Sequence, residues 1–300
     1  MLKIATINTW KCESDYEQRL NLLTDRLKNE NFDILCCQES FRTLDGAYDT
    51  ARTLATGLGM SYFFSATRRK KRLFSGKKVE SFSGLTILTG PKTCMINSGS
   101  FPLPDNSKAK GSAAQFAIIR KNGDAILIIN LFLSHLKNKK SLRLKQLQTI
   151  FSHPLMKKQY AAILICGDIN VNPKNDELRF LKKQSEFKAL DGFIKGGGNP
   201  RVSTLCNNTV IDEEQDGQHI DHIFVLQKRV RPVAKMKFYN SRIILDQSDG
   251  KALMPSNHFG IALDLTLSRV KRDSKKQLYR YASFAKPWCK SFTEKAVCSI

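Results

Sequence analysis

The sequence has no apolar run long enough to span a bilayer. Its longest runs, Ile126–Leu133 interrupted by Asn130 and Ala161–Cys166, fall far below the roughly 18–20 residues a spanning helix needs. The N-terminus lacks the basic, apolar and small-residue succession of a secretory leader. Met1-Leu2-Lys3-Ile4-Ala5-Thr6 leads straight into a strand-like stretch, so a cytoplasmic, nuclear or nucleoid location is expected. No CxxC pair occurs among the eight cysteines, and Cys36, Cys37 and Cys166 lie inside apolar runs, which predicts buried free thiols rather than a disulfide framework. Internal repeats, a serine-hydrolase elbow and an HExxH zinc signature are all absent. Gly196-Gly197-Gly198 has neither a preceding strand nor a following Lys-Ser/Thr, which excludes a phosphate cradle and leaves a loop. Acid is the scarce charge. Aspartate and glutamate number 27 against 49 lysines and arginines, a formal charge of +22, and a field of that sign attracts polyanions, either nucleic acid or acidic lipid headgroups.

What is present is enough for a folded core: 41% of the 300 residues are hydrophobic, which excludes global disorder. Periodicity predicts strands at Leu2–Ile7, Asp33–Cys37, Leu85–Thr89, Gln115–Arg120, Ala125–Leu133, Ala162–Cys166, Ile220–Leu226, Ala234–Tyr239 and Gly260–Leu267. Helices are predicted at Glu17–Asn29, at Ala51–Leu58 closed by Gly59, at Lys140–Phe151 and at Asp176–Gln184. Lys121-Asn122-Gly123-Asp124 reads as a hairpin turn. Strands and helices alternate, yet several strands are hairpin-linked. That combination predicts an α/β fold of two face-to-face mixed β-sheets with helices on the outside. Residues 1–268 read as one continuous domain and 269–300 as a basic C-terminal tail.

Polar residues recur where apolar strands end: Asn8, Glu39, His135, Asp168 with Asn170, Asp221, and His258 just before a strand. Any one of them would pass as a turn residue, but the whole set carries carboxylate, amide and imidazole chemistry. The segments Ala5-Thr6-Ile7-Asn8-Thr9-Trp10, Asp33-Ile34-Leu35-Cys36-Cys37-Gln38-Glu39, Ser134-His135-Leu136, Gly167-Asp168-Ile169-Asn170, Ile220-Asp221-His222-Ile223 and Ser256-Asn257-His258 fall in a familiar order over 5–265. In this the chain resembles the endonuclease/exonuclease/phosphatase superfamily of metal-dependent phosphoester hydrolases.

The resemblance implies a deoxyribonuclease I-like four-layered sandwich and a Mg²⁺ cofactor, with Mn²⁺ as an alternative. It implies Glu39 and Asn8 as oxygen ligands, with residue 257 near the metal. Asp168 would activate the attacking water and Asn170 would turn its amide toward the same phosphate. His258, oriented by Asp221, would stabilise the pentacovalent oxygens, and His135 would be a second phosphate-facing donor. One position departs from the pattern. Most members have Ser-Asp-His where this chain has Ser256-Asn257-His258, which removes one negative charge beside the metal. His222, directly after Asp221 in a strand, should turn away from the site by period-two alternation, and His153 reads as a helix-end residue.

Substrate choice in the family lies in the loops, and Arg68, Arg69, Lys70, Lys71 and Arg72, with Lys137 and Lys139, are basic segments beside site-bearing strands. They are expected to bind substrate. The reading preferred on charge is an endo- or exonuclease on nucleic acid. A sphingomyelinase-like phosphodiesterase or phosphoinositide phosphatase at an acidic membrane, and a non-catalytic nucleic-acid-binding protein, stay open at this point.

Overall fold

The computed structural model describes residues 1–105, 111–136, 138–206 and 218–270. Met1–Arg269 form one compact unit built on two six-stranded mixed sheets. The first sheet has β1 (Leu2–Asn8), β2 (Ile34–Thr43), β3 (Ser61–Phe74), β4 (Lys77–Thr89), β11 (Ala234–Ile244) and β12 (Gly260–Arg269), in the order β11-β12-β1-β2-β4-β3. The second has β5 (Cys94–Pro102), β6 (Ala113–Lys121), β7 (Asp124–Phe132), β8 (Ala162–Asp168), β9 (Phe187–Asp191) and β10 (Asp221–Lys228), in the order β5-β6-β7-β8-β10-β9. Only the central pairs β1–β2 and β7–β8 are parallel. These two pairs place the C-terminal ends of four strands at one end of the sandwich.

Three apolar layers hold the stack together. Ile4, Ile34, Cys36 and Ile87 of the first sheet meet Ile128, Leu164, Cys166 and Ile223 of the second between the sheets. Outside the first sheet, Leu20, Leu23 and Leu27 of α1 (Tyr16–Leu27) and Leu54 of α2 (Thr50–Leu58) cover Ala5, Ile7 and Leu35. Outside the second, Leu147 and Ile150 of α3 (Lys140–Ser152) and Leu178 and Leu181 of α5 (Asp176–Lys182) cover Ile129, Leu131 and Ile163. Two one-turn helices, α4 (Pro154–Lys157) and α6 (Gly192–Lys195), complete the set. The layering is therefore helix, sheet, sheet, helix, as expected.

Several local signals hold in detail. Gly59 adopts a left-handed φ of 63° and caps α2, and the β6–β7 turn takes left-handed Asn122 (51°) and Gly123 (80°), the two positive φ values a tight hairpin needs. His153 accepts a bond from the Leu155 amide at the start of α4. No disulfide forms among the described cysteines. Cys12, Cys36, Cys37 and Cys166 are buried, but Cys94 is exposed on an edge strand and Cys206 is half-buried, so burial of the thiols is not general. No described helix is long and apolar enough to cross a membrane. Arg269, placed in the tail by composition, is the last residue of β12, and its guanidinium bonds Asp124 (2.7 Å). The remaining tail, 271–300, lies outside the described residues.

Candidate active site

The polar strand ends converge. Asn8 leaves β1 beside Gln38 of β2, and its amide donates across the inter-sheet space to Asp168 Oδ2 at the end of β8 (3.2 Å). Asp221 opens β10 in register with Asp168, so two carboxylates stand on neighbouring antiparallel strands. His258, in the segment leading into β12, bonds Asp221 Oδ2 through Nδ1 (2.9 Å), while its Nε2 lies 3.9 Å from Asp168 Oδ2. All three are buried, and their ligating atoms lie within 4.8 Å of one another. Two acids and an imidazole that close form a group able to share protons or to take a cation.

Burial and the neighbouring Asp221 charge push the Asp168 carboxyl up to about 7, against the opposing pull of His258 and the Asn8 hydrogen bond. For His258, burial works against the charged ring, but the charge and hydrogen bond of Asp221, then Asp168 and Glu39, outweigh it and raise it to about 9. At neutral pH the site thus holds a carboxylate poised to take a proton and an imidazolium fixed by its own counter-ion.

Glu39 reaches this site through an irregularity. The β2–β4 register shifts between Cys37 and Ser40, and Glu39 takes a left-handed φ of 54°. Its carboxylate pairs with the Lys11 ammonium. Beneath it, Gln38 donates to Thr6 Oγ1 (2.9 Å) and to Asn130 Oδ1 (2.7 Å), and Asn130 in turn bonds the Cys37 and Thr86 carbonyls (both 3.0 Å). This buried amide relay stitches the two sheets together directly under the bulge.

Asn257 presents a buried Oδ1 with no hydrogen-bond partner among the described residues. Its neighbours are tied to the rest of the site: Ser256 Oγ donates to the Asn8 carbonyl (2.6 Å), and the Asn257 carbonyl accepts from the Cys206 amide (2.9 Å). The ligand atoms of Asn8, Glu39 and Asn257 are all hard oxygens of the kind that suits a hard divalent cation; that of Asn257 has no partner among the described residues, while Asn8 Oδ1 accepts from the Trp10 amide (3.0 Å). The Lys11 ammonium would compete for the same carboxylate.

Two expected site residues, Asn170 and His135, have other surroundings. Asn170, left-handed at 57°, donates its side-chain amide to the Leu133 carbonyl (3.0 Å) and its backbone N–H to Asp168 Oδ1 (3.0 Å). It therefore braces Asp168 and ties β8 to the β7 exit, and its amide is not simply turned to a phosphate. His135 is exposed with its ring against Phe132, 6.4 Å between centroids, and makes no contact with Asp168, Asp221 or His258 among the described residues. Its loop is nonetheless anchored. Buried Arg143 of α3, paired with Glu177 (2.9 Å), holds the Ser134 and Leu136 carbonyls. Lys139 precedes α3 as its half-buried N-terminal flank, and Lys137 lies outside the described residues. His222 turns into the core as alternation requires, with Nε2 at the Val171 carbonyl (3.0 Å).

The basic run 68–72 is not a loop. It lies in the second half of the edge strand β3, so its side chains alternate between two faces. Two open clefts elsewhere, one of about 490 Å³ between residues 12–18 and the β3–β4 turn and one of about 570 Å³ between α1 and α2, do not include the Asp168 group.

Sequence pattern missed one residue of the site's frame, Arg19. It is buried on α1 with no carboxylate partner among the described residues, and its five N–H groups go to the carbonyls of Thr9, Trp10, Lys11, Glu13 and Pro255. The guanidinium also lies 4.8 Å over the Trp10 ring. The clamp holds left-handed Trp10 and Lys11 (56° and 46°) and ties the loop after Asn8 to the loop before Asn257. The only sequence signal was a charged residue on the apolar face of α1.

No protein-family model matches the sequence, and neither does any curated protein. Solved structures do match. An endonuclease/exonuclease/phosphatase from Bacteroides vulgatus superposes with a TM-score of 0.66 at 16% identity, over 89% of this chain and 99% of that one. A mannosyl-6-phosphatase of Bacteroides thetaiotaomicron VPI-5482 gives 0.63 at 18%, over 89% and 100%. The human Nocturnin catalytic domain, solved with a bound sulfate anion, gives 0.64 at 17%, over 89% and 93%.

Proposed function

On a chain that has the fold of the endonuclease/exonuclease/phosphatase superfamily, we propose a metal-dependent phosphodiesterase that cleaves nucleic acid, with its chemistry at Asp168. The observation that carries the reading is the buried Asp168–Asp221–His258 group, bridged to Asn8, at the end of the sandwich where Glu39 and Asn257 also emerge. Asp168 takes a proton from water and aims the oxygen in line at phosphorus. His258, held protonated by Asp221, donates from Nε2 to a nonbridging oxygen as charge builds in the pentacovalent state. The P–O ester bond then breaks and the leaving alkoxide takes up a proton from solvent, giving a phosphomonoester and an alcohol, while Asp168 returns its proton to solvent. Asn8, Glu39 and Asn257 would hold Mg²⁺ or Mn²⁺, which when bound would neutralise phosphate oxygens and the leaving alkoxide. A formal charge of +22 favours a polyanionic substrate.

The test is turnover of single- and double-stranded DNA, RNA, sphingomyelin and a phosphoinositide in Mg²⁺ and in excess EDTA, with Glu39→Gln alongside. Metal-dependent cleavage of a nucleic acid, lost in Glu39→Gln, is expected. Metal-dependent turnover of a lipid alone would move the reading to the membrane alternative. Binding of nucleic acid with no turnover of anything would make the chain a non-catalytic binder.

A further inference from the structure

We infer that one face of the β3–β4 hairpin, carrying Arg68, Lys70 and Arg72, is a phosphate ladder that leads an extended nucleic-acid strand toward Glu39, whereas Arg69 and Lys71 on the opposite face take no part; this rests on the nuclease reading above. The register sets the division. Arg68 faces Ser83, Lys70 faces Ser81 and Arg72 faces Val79, none of them acidic, while Arg69 faces Phe82 and Lys71 faces Glu80. Glu80 takes both residues of the second set, with Arg69 at 3.2 Å and Lys71 at 3.8 Å, so their charge is partly answered within the hairpin.

The first face is held in a fixed direction. Phe74, next in its alternation, is buried against Tyr16, Phe41 and Tyr48, with ring centroids 5.5, 5.1 and 4.7 Å away. Arg72 is pinned by hydrogen bonds to Ser81 Oγ (2.8 Å) and Ser83 Oγ (2.9 Å), and Ser83 pairs with Phe41 of β2, two residues beyond Glu39. The ladder therefore ends beside the site. Alternate residues of a strand stand about 6.6 Å apart, the same order as the step between successive phosphates of an extended single strand. An edge strand bearing charge at every position from 68 to 72 also resists pairing with another sheet, which accounts for both faces being basic but not for the one-sided placement of Glu80.

The experiment compares two variants of equal charge, Arg68→Gln/Lys70→Gln and Arg69→Gln/Lys71→Gln, in the full chain. Binding of a labelled single-stranded deoxyoligonucleotide is measured across a sodium chloride series, and Arg72, which braces the hairpin, is left in place. Removing two contacts from the proposed ladder should lower the slope of log K against log[salt] by about 1.4, and the other variant should leave it nearly unchanged. Equal losses in both variants, or a larger loss in the second, would overturn the ladder. So would tight binding to phosphatidylserine vesicles with none to the oligonucleotide. Wild-type hydrolysis of a small phosphodiester, bis-p-nitrophenyl phosphate, is followed in parallel to separate the two readings. Turnover of this diester with no face preference sinks the ladder and spares the hydrolase, whereas face-selective binding without any turnover spares the ladder and sinks the hydrolase.

Discussion

At the scale of single residues, the opposed environments of Asp168 and His258 dictate a pH profile. In the proposed mechanism Asp168 must be ionised to take the proton from water, and it is raised to about 7, so the rate should climb with pH through that region. His258 must keep its proton and is raised to about 9, so the rate falls as pH passes it. A bell with limbs near those values is the expected form of kcat, and they belong to the interacting group as a whole. A profile flat between pH 6 and 10 would contradict the assignment. Asn257 gives the second prediction at this scale. Asn257→Asp adds a negative charge at a buried oxygen that has no partner among the described residues, and should tighten Mg²⁺ binding measured by calorimetry. Unchanged affinity would place residue 257 away from the cation. Asn8, Asp168 and Asp221 were legible from the sequence because each ends or begins a strand, Glu39 because it follows an apolar run and His258 because it leads into one, whereas Asn257 came only with the family resemblance. His135 follows the same rule, but its exposed ring lies against Phe132 and makes no contact with the Asp168–Asp221–His258 group among the described residues.

At the scale of elements, the strands read correctly are mostly the inner ones. Among those missed outright, β3, β5 and β9 are all sheet edges. An edge strand needs fewer apolar side chains, so β3 carries its basic run and β5 reads Cys94-Met95-Ile96-Asn97-Ser98-Gly99-Ser100, a sequence that passes for loop. The bulge at Glu39 was equally hidden, since Ser40–Thr43 continue β2 beyond it. The Arg19 clamp was missed for a different reason: its partners are backbone carbonyls, which leave no mark in a sequence. Arg19→Met should strand those five carbonyls and loosen both loops. The expected result is a fall in kcat larger than any change in oligonucleotide affinity, together with a shift of the His258 imidazole titration seen by NMR. Arg19→Lys, with three donors instead of five, should rescue only part of both. A variant that is merely less stable, with kcat and the His258 titration unchanged, would reduce Arg19 to a packing residue.

At the scale of the whole molecule, the four layers and the site have separable tasks. The sheets fix where Asp168, Asp221 and His258 meet, while the net charge of +22 governs encounter with a polyanion and is screened by salt. Chemistry and affinity should therefore come apart under mutation. The most direct test is the single-turnover rate of nucleic-acid cleavage in saturating Mg²⁺ by the full chain and by Asp168→Asn, with oligonucleotide affinity measured on the same samples. A rate lower by about 10²–10⁴ at unchanged affinity is predicted, because Asp168 acts on the water whereas binding rests on lysine and arginine. An Asp168→Asn protein that cleaves as fast as its parent would contradict the account.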